Sequence, residues 1–253
     1  MSNSAAKLAP PEGGQLVVRP WAACRPAWRD LATRANGATL YHDDRWLSLL
    51  EQVYGFKIVV AGIHSRSGLG AACLLARTKN PFKARLVGLP FSDTCPPLPA
   101  DSALMPLLGD ALTAEPMPRG GCEIRGLALP DPWQVVNCFG EWSVDLTRPI
   151  AELSRATASH FRRQVRRAVE NGLSVRCGSS IDDLYGFYQL MAETRHRKGL
   201  PVQSLRFFKR AHELFSPIGD IEILVGGRQG QDDRRGLDAA ILRQPALQVE
   251  RAP

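Results

Sequence analysis

The chain has 253 residues and a formal net charge of +7, and its length suffices for one large domain or two ordinary ones. A hydrophobic fraction of 44% with a charged fraction of 23% is typical of a folded globular protein and excludes a wholly disordered one. No apolar run is long enough to cross a bilayer, and residues 1–15 lack the apolar centre of a signal peptide. We therefore expect a cytoplasmic protein with no membrane span and a disordered tail over residues 1–15.

Cysteine and histidine spacing predicts no metal site. The six cysteines lie at positions 24, 73, 95, 122, 138 and 177. No two of them form a CxxC pair, and no histidine is placed to complete a zinc ligand set. We expect these thiols to stay reduced and to serve mostly as small apolar residues.

Helical and strand patterns alternate through the first half of the chain. The predicted elements are, in chain order, a strand at 16–19, a short helix around Trp28, a helix from Asp43 to Tyr54, strands at 57–64, 70–76 and 84–89, a helix at 103–112, and strands at 122–127 and 142–146. This alternation indicates an α/β or α+β first domain, which we place at residues 16–147.

The second half repeats the passage from helix to strand. Its predicted elements are a helix at 151–170, a strand at 173–177, a helix opened by the capping box of Ser180 and Asp183, a helix at 204–215, and strands at 221–225 and 237–242. Residues 243–253 contain no convincing element, so the last strand would keep an unpaired edge. We therefore predict a second domain over residues 148–253 that is incomplete.

The predicted helix at 151–170 combines an apolar stripe with closely spaced arginines. Phe161, Val165 and Ala168 recur at helical spacing, which predicts one buried face. Two i, i+4 pairs of like charge flank this stripe: Arg162 with Arg166, and Arg163 with Arg167. Each such pair weakens an isolated helix by roughly 0.2–0.5 kcal/mol. Two interpretations stay open, a solvated basic face or a site for an anionic ligand such as phosphate, nucleic acid or acidic lipid.

A second basic cluster, at residues 195–198, lies where the next helix ends before Gly199 and Pro201. The helix macrodipole favours cations at this position, which explains part of the cluster. The cluster holds more hydrogen-bond donors than are needed at the end of a helix, which indicates contact with phosphate or carboxylate. We expect His196 to be a solvent-exposed side chain and not a general base.

The loop from Pro90 to Pro97 places Phe91, Ser92 and Asp93 on a stiff turn directly after a strand. Rigid loops at strand ends are common binding sites, and this is the reading we favour. The alternative is a connection in which Ser92 and Asp93 only satisfy local backbone groups.

Several enzyme signatures are absent from the sequence. There is no GxSxG elbow, HExxH pair, Walker loop or kinase motif set, and the glycine pattern of an acetyl-coenzyme A loop is missing as well. Most hydrolase, nuclease and ATPase functions are thereby excluded, and no catalytic residue can be assigned.

Four segments together resemble the Fem-type (FemAB-like) family, the aminoacyltransferases that build peptidoglycan interpeptide bridges, and its bacterial relatives. The segments are 41–46 with 54–56, 89–93, 161–168, and 194–203 with 206–208. The resemblance implies two GNAT-like acyltransferase domains and transfer of an acyl or aminoacyl group to an amine of a cell-envelope precursor or a polysaccharide. It implies no bound cofactor, and acyl-coenzyme A or aminoacyl-tRNA as the anionic donor.

The resemblance also implies roles for particular side chains. Arg162, Arg166, Arg195 and Lys198, with Thr194, would hold anionic parts of donor or acceptor, while Phe91, Ser92 and Asp93 would line the acceptor groove. Such chemistry needs few catalytic side chains, because the acyl donor is already activated. Positioning of the reactants and a hydrogen bond to the developing oxyanion supply much of the rate enhancement. Relatives continue past the point where this chain ends, so an inactive, truncated remnant is one alternative. The other is a non-catalytic basic module that binds RNA or another polyanion.

Overall fold

The computed structural model describes residues 14–66, 68–79, 83–93, 95–99, 104–114, 118–125, 133–134, 144–145, 147–228 and 239–243. These residues form two compact units, one before residue 135 and the other after residue 143. The predicted tail at 1–15 lies outside the described residues except for its last two positions, the second of which begins the first strand. The predicted domain boundary at 147/148 stays a prediction.

The first unit is built on a five-stranded sheet in the order β1-β2-β3-β4-β5. Its strands are β1 Gln15–Pro20, β2 Lys57–Ser65, β3 Gly68–Lys79, β4 Ala84–Gly88 and β5 Cys122–Glu123. The pairs from β1 to β4 are antiparallel, and β5 joins β4 in parallel. The chain order of the first four strands is therefore also their order in the sheet, as expected when short turns join antiparallel neighbours.

Three helices cover this sheet: α1 Trp21–Arg34, α2 Asp44–Tyr54 and α3 Met105–Ala114. Met105, Leu108 and Leu112 of α3 pack in one apolar cluster with alternate residues of β2 and β3. The intervening residues of these strands, including Ile58 and Val60, are buried as well; α1 contacts both strands and α2 contacts β2. Because side chains alternate across a strand, β2 and β3 are covered on both faces.

The second unit carries a three-stranded antiparallel sheet in the order β6-β7-β8. Its elements are α4 Ile150–Ala156, α5 Ser159–Glu170, β6 Leu173–Gly178, α6 Ile181–Arg197, α7 Leu205–Phe215, β7 Glu222–Arg228 and β8 Ala239–Arg243. The core lies between α6, α7 and β7, where the rings of Phe187, Phe207 and Phe208 meet edge to face. Both units mix helices with sheets, which confirms the α/β (α+β) fold class.

Local signals placed most boundaries within a few residues. Asp43 caps α2 by accepting a hydrogen bond from the Arg45 N–H at 2.7 Å, and Gly55 ends that helix with φ 69°. The capping box of Ser180 and Asp183 opens α6, as predicted. The strand predicted at 142–146 falls largely outside the described residues.

The single helix predicted over 151–170 is wrong, because the chain forms two helices there. Thr157 and Ala158 take extended backbone angles, with ψ of 136° and 143°, which separates α4 from α5. The stripe of Phe161, Val165 and Ala168 lies entirely within α5, so its helical spacing could not reveal the break.

The predicted burial of the Phe161 stripe is also wrong. Phe161 and Val165 are exposed, Ala168 is only half-buried, and no residue of α4 or α5 is fully buried. Helical spacing identifies an apolar face, but it does not show whether another part of the chain covers that face.

In the described ranges, no helix is both long and apolar enough to span a bilayer. Within the same ranges, no three histidine, cysteine or acidic side chains converge on a point that could hold a metal ion. The described cysteines are free thiols, and Cys138 lies outside those residues.

Candidate anion-binding and acceptor segments

The loop after β4 is fixed to the rest of the first unit through Ser92. This side chain is buried; its Oγ accepts a hydrogen bond from Trp46 Nε1 at 2.8 Å and donates to the Pro90 carbonyl at 3.2 Å. Phe91 and Asp93 on either side are exposed. Ser92 therefore holds the loop in shape, and the groups that this loop presents to solvent are those of its two neighbours.

Phe91 adopts a backbone conformation that few side chains tolerate. Its φ is 59°, a region disfavoured for residues other than glycine, asparagine and aspartate. Its ring stacks on Tyr54 with centroids 4.6 Å apart, and Phe56 adjoins both rings. Strained residues often mark functional loops, and here the strain presents an aromatic ring at the surface.

A buried histidine holds the other side of this loop. His42 Nδ1 accepts the Thr39 N–H at 2.9 Å, so Nε2 carries the proton and donates to the Pro96 carbonyl at 2.9 Å. Trp28 Nε1 donates to the His42 carbonyl at 2.9 Å. Burial lowers the pKa of His42 and keeps the imidazole neutral. No sequence signal marked His42 as a site residue, although it lies within the Tyr41–Trp46 motif.

In the second unit, Arg162 is committed to the backbone. Its Nη1 donates to three carbonyls at the end of α4: those of Ser154 at 3.1 Å, Arg155 at 2.8 Å and Thr157 at 2.9 Å. These carbonyls have no partner within their own helix, and a guanidinium satisfies them while complementing the negative end of the macrodipole. Arg162 thus has a structural role, and any ligand would share its guanidinium with these carbonyls.

Arg166 lies one turn further along α5 and is exposed. No carboxylate in the described part of the chain forms an ion pair with it. The like-charge repulsion within α5 is therefore relieved by solvent and by the carbonyl contacts of Arg162, and not by a network of acids.

Thr194, Arg195 and Lys198 lie together where α6 ends. The Arg195 carbonyl accepts the Lys198 N–H at 3.1 Å and the Leu200 N–H at 2.9 Å, and Gly199 makes the turn with φ 64°. Thr194 and Lys198 are exposed, and Arg195 is half-buried. Within the described ranges, neither Arg195 nor Lys198 forms an ion pair, so both charges are available to an anion.

The structure thus brings the predicted residues together in three local groups. Phe91 and Asp93 lie beside Ser92 in the first unit, Arg162 and Arg166 lie along α5, and the remaining three lie at the end of α6. Among the described residues, no hydrogen bond or ion pair joins the α5 arginines to the α6 group. The rings of Tyr54 and Phe56 contact Phe91, but neither residue was predicted as part of the site. Their place in the Tyr54-Gly55-Phe56 motif could have indicated them.

Comparison with known proteins gives one family match, and residues 141–224 fit the FemAB family. This segment contains α4 to α7, both basic clusters and the start of β7. Comparison with curated proteins returns no match.

Among solved structures, the chain is similar to FemX, with 15% sequence identity and a TM-score of 0.49. The similarity covers 79% of this chain and 55% of FemX, so the chain spans about half the length of that protein. The FemAB match over residues 141–224 agrees with the resemblance to the Fem-type family that the sequence shows.

Proposed function

We propose that this chain belongs to an acyl- or aminoacyltransferase that modifies an amine of a cell-envelope precursor or a polysaccharide in the cytoplasm. The observation that carries the proposal is the FemAB match over residues 141–224, because this segment holds both cationic groups. Arg166, Arg195 and Lys198 support it, since each offers a charge that no carboxylate of the described residues neutralises.

The reaction would join the acceptor nitrogen to the carbonyl carbon of an activated ester or thioester. A C–N bond forms, the C–O or C–S bond of the donor breaks, and the amine proton passes to the departing alcohol or thiol. No oxidant, reductant or metal is required. The donor would be aminoacyl-tRNA or acyl-coenzyme A, and both present phosphates that arginine and lysine side chains bind.

In the first unit, Phe91 and Asp93 would bind the acceptor. Phe91 offers an exposed ring backed by Tyr54, and Asp93 offers an exposed carboxylate beside it. A carboxylate is suited to bind an ammonium group of the acceptor. These roles for Phe91 and Asp93 belong to the proposal.

Turnover tests the proposal directly. Labelled aminoacyl-tRNA or acyl-coenzyme A is incubated with the chain and an acceptor amine, and the amide product is measured. We expect R166Q and R195Q to raise the KM for the donor about tenfold each, by loss of one charge-assisted contact.

The control is R119Q, because Arg119 is an exposed arginine that belongs to neither cationic group. R119Q should keep the parent KM. Binding of uncharged tRNA without any turnover would instead support the basic RNA-binding module.

A further inference from the structure

The two helices α4 and α5, residues 150–170 and here called the basic arm, expose apolar side chains along with their charges. Phe161, Val165 and Val169 recur every four residues on one face of α5, and they are 54%, 65% and 66% exposed. Ile150 at the start of α4 is 81% exposed. Isolated exposed apolar residues are ordinary, but a continuous stripe of them marks a surface that another body covers.

The charge of the basic arm indicates the nature of that body. Residues 150–170 contain five arginines against two glutamates. Among the described residues, Glu152 of this stretch forms an ion pair with Arg148, which lies just before α4. The arginines of α5 occupy the positions between the apolar ones, so one short helix carries an apolar stripe with cations around the rest of its surface.

We propose that the basic arm docks on an anionic lipid surface, with the stripe of α5 inserted among the acyl chains and its arginines on the headgroup phosphates. A helix with one apolar face and a strongly cationic polar face binds membranes in this way without spanning them. Anionic headgroups attract the arginines, and this attraction adds to the burial of the stripe.

Lipid fits better than the other polyanions or a second copy of the chain. RNA would neutralise the arginines but leave the stripe of Phe161, Val165 and Val169 in water. A second copy would bring like charges together, because the same arginines would approach each other. The inference does not rest on the proposed transferase activity, since it uses only exposure and charge.

Vesicle co-sedimentation of the full chain tests the docking. We expect the chain to pellet with vesicles of phosphatidylcholine and phosphatidylglycerol, and to stay in the supernatant with phosphatidylcholine alone. The double variant F161S/V165S should lower the partition coefficient by roughly tenfold or more, because two apolar side chains no longer leave water. R163Q/R167Q should also lower it, and added salt should weaken binding of the parent chain.

Two controls keep the result specific. V202S removes an exposed apolar side chain outside the basic arm and should bind like the parent. Circular dichroism and urea unfolding of F161S/V165S should match the parent, since neither side chain is buried in the chain itself.

Several outcomes would overturn the docking. They are no binding to anionic vesicles at low salt, equal binding to phosphatidylcholine alone, and unchanged binding of F161S/V165S. A dimer in sedimentation velocity that F161S/V165S dissolves would assign the stripe to a second copy instead. None of these measurements needs a donor or an acceptor, so they leave the transferase proposal to its own assay.

Discussion

His42 connects three segments of the first unit through a neutral imidazole. Its Nδ1 accepts from Thr39, its Nε2 donates to Pro96, and its carbonyl accepts from Trp28. The folded pKa lies below the ordinary value of 6.5, because burial disfavours the charged ring. The unfolded chain therefore binds a proton more readily than the folded one as the pH falls below about 6.5.

We expect the stabilisation from His42 to be complete above about pH 6.5 and to decline as the pH falls toward the lower folded pKa. The free energy of unfolding, measured in urea between pH 5 and 8, should show this decline in the parent chain. H42Q should be less stable at neutral pH and should have a flatter dependence over the same range. An equally steep decline in H42Q would assign the acid sensitivity to other groups.

In the second unit, the carboxylate of Asp183 joins β6 to the start of α6. Arg176 Nη2 lies 2.6 Å from its Oδ1, and Oδ2 accepts the Ser180 Oγ–H at 2.7 Å. The hydrogen bond from Arg176, followed by those from Ser180, lowers the pKa of Asp183 to about 2. Gly178 faces this carboxylate so closely that a Cβ there would lie 2.6 Å from Asp183 Cγ.

Asp183→Ala should lower the free energy of unfolding by about 1–2 kcal/mol, because the capping box of α6 and the contact with Arg176 are both lost. The contribution of the charge should be complete above about pH 4 and should be lost as the pH falls toward 2. Asp183→Asn should remove this acid-dependent part. Chemical denaturation at pH 7 and pH 3 measures both effects, and equal losses for D183N at the two pH values would contradict them.

At the scale of whole elements, the break between α4 and α5 depends on a guanidinium. Arg162 Nη1 holds the last carbonyls of α4, a helix of seven residues that is too short to persist without help. Arg162→Gln should therefore loosen α4 and leave α6 unchanged. Faster amide hydrogen exchange over residues 153–157 is the expected result.

The matched variant R163Q removes the neighbouring exposed charge without touching those carbonyls, and its exchange over α4 should equal that of the parent. If R162Q and R163Q exchange alike, the stability of α4 has another source, such as a surface that covers the arm.

At the scale of the whole molecule, the net charge of +7 is concentrated in α5 and at the end of α6. If aminoacyl-tRNA is the donor, the logarithm of its affinity should fall linearly with the logarithm of the salt concentration. Replacing Arg166 or Arg195 with Gln should reduce that slope by about 1 each. Filter binding of tRNA across a salt series measures the slope, and affinity that does not change with salt would exclude tRNA as the donor.

Much of the element order could be predicted from local signals. Asp43 and Ser180 begin helices because their side chains accept backbone N–H groups, and Gly55 and Gly172 end helices because they tolerate positive φ. The arginine-rich segment and the cluster after Thr194 were likewise found from the sequence, and the family match includes both.

Tertiary structure decided what each of these side chains touches. Ser92 accepts a hydrogen bond from Trp46, 46 residues away along the chain, and His42 donates one to Pro96, 54 residues away. No local pattern encodes such distant partners. The extended residues at 157–158 and the exposure of Phe161 likewise depend on neighbours in space. The sequence by itself determined which segments are helical, extended or cationic, because those properties arise from neighbours along the chain; only the tertiary structure decided which faces are covered and which charges are left for a ligand.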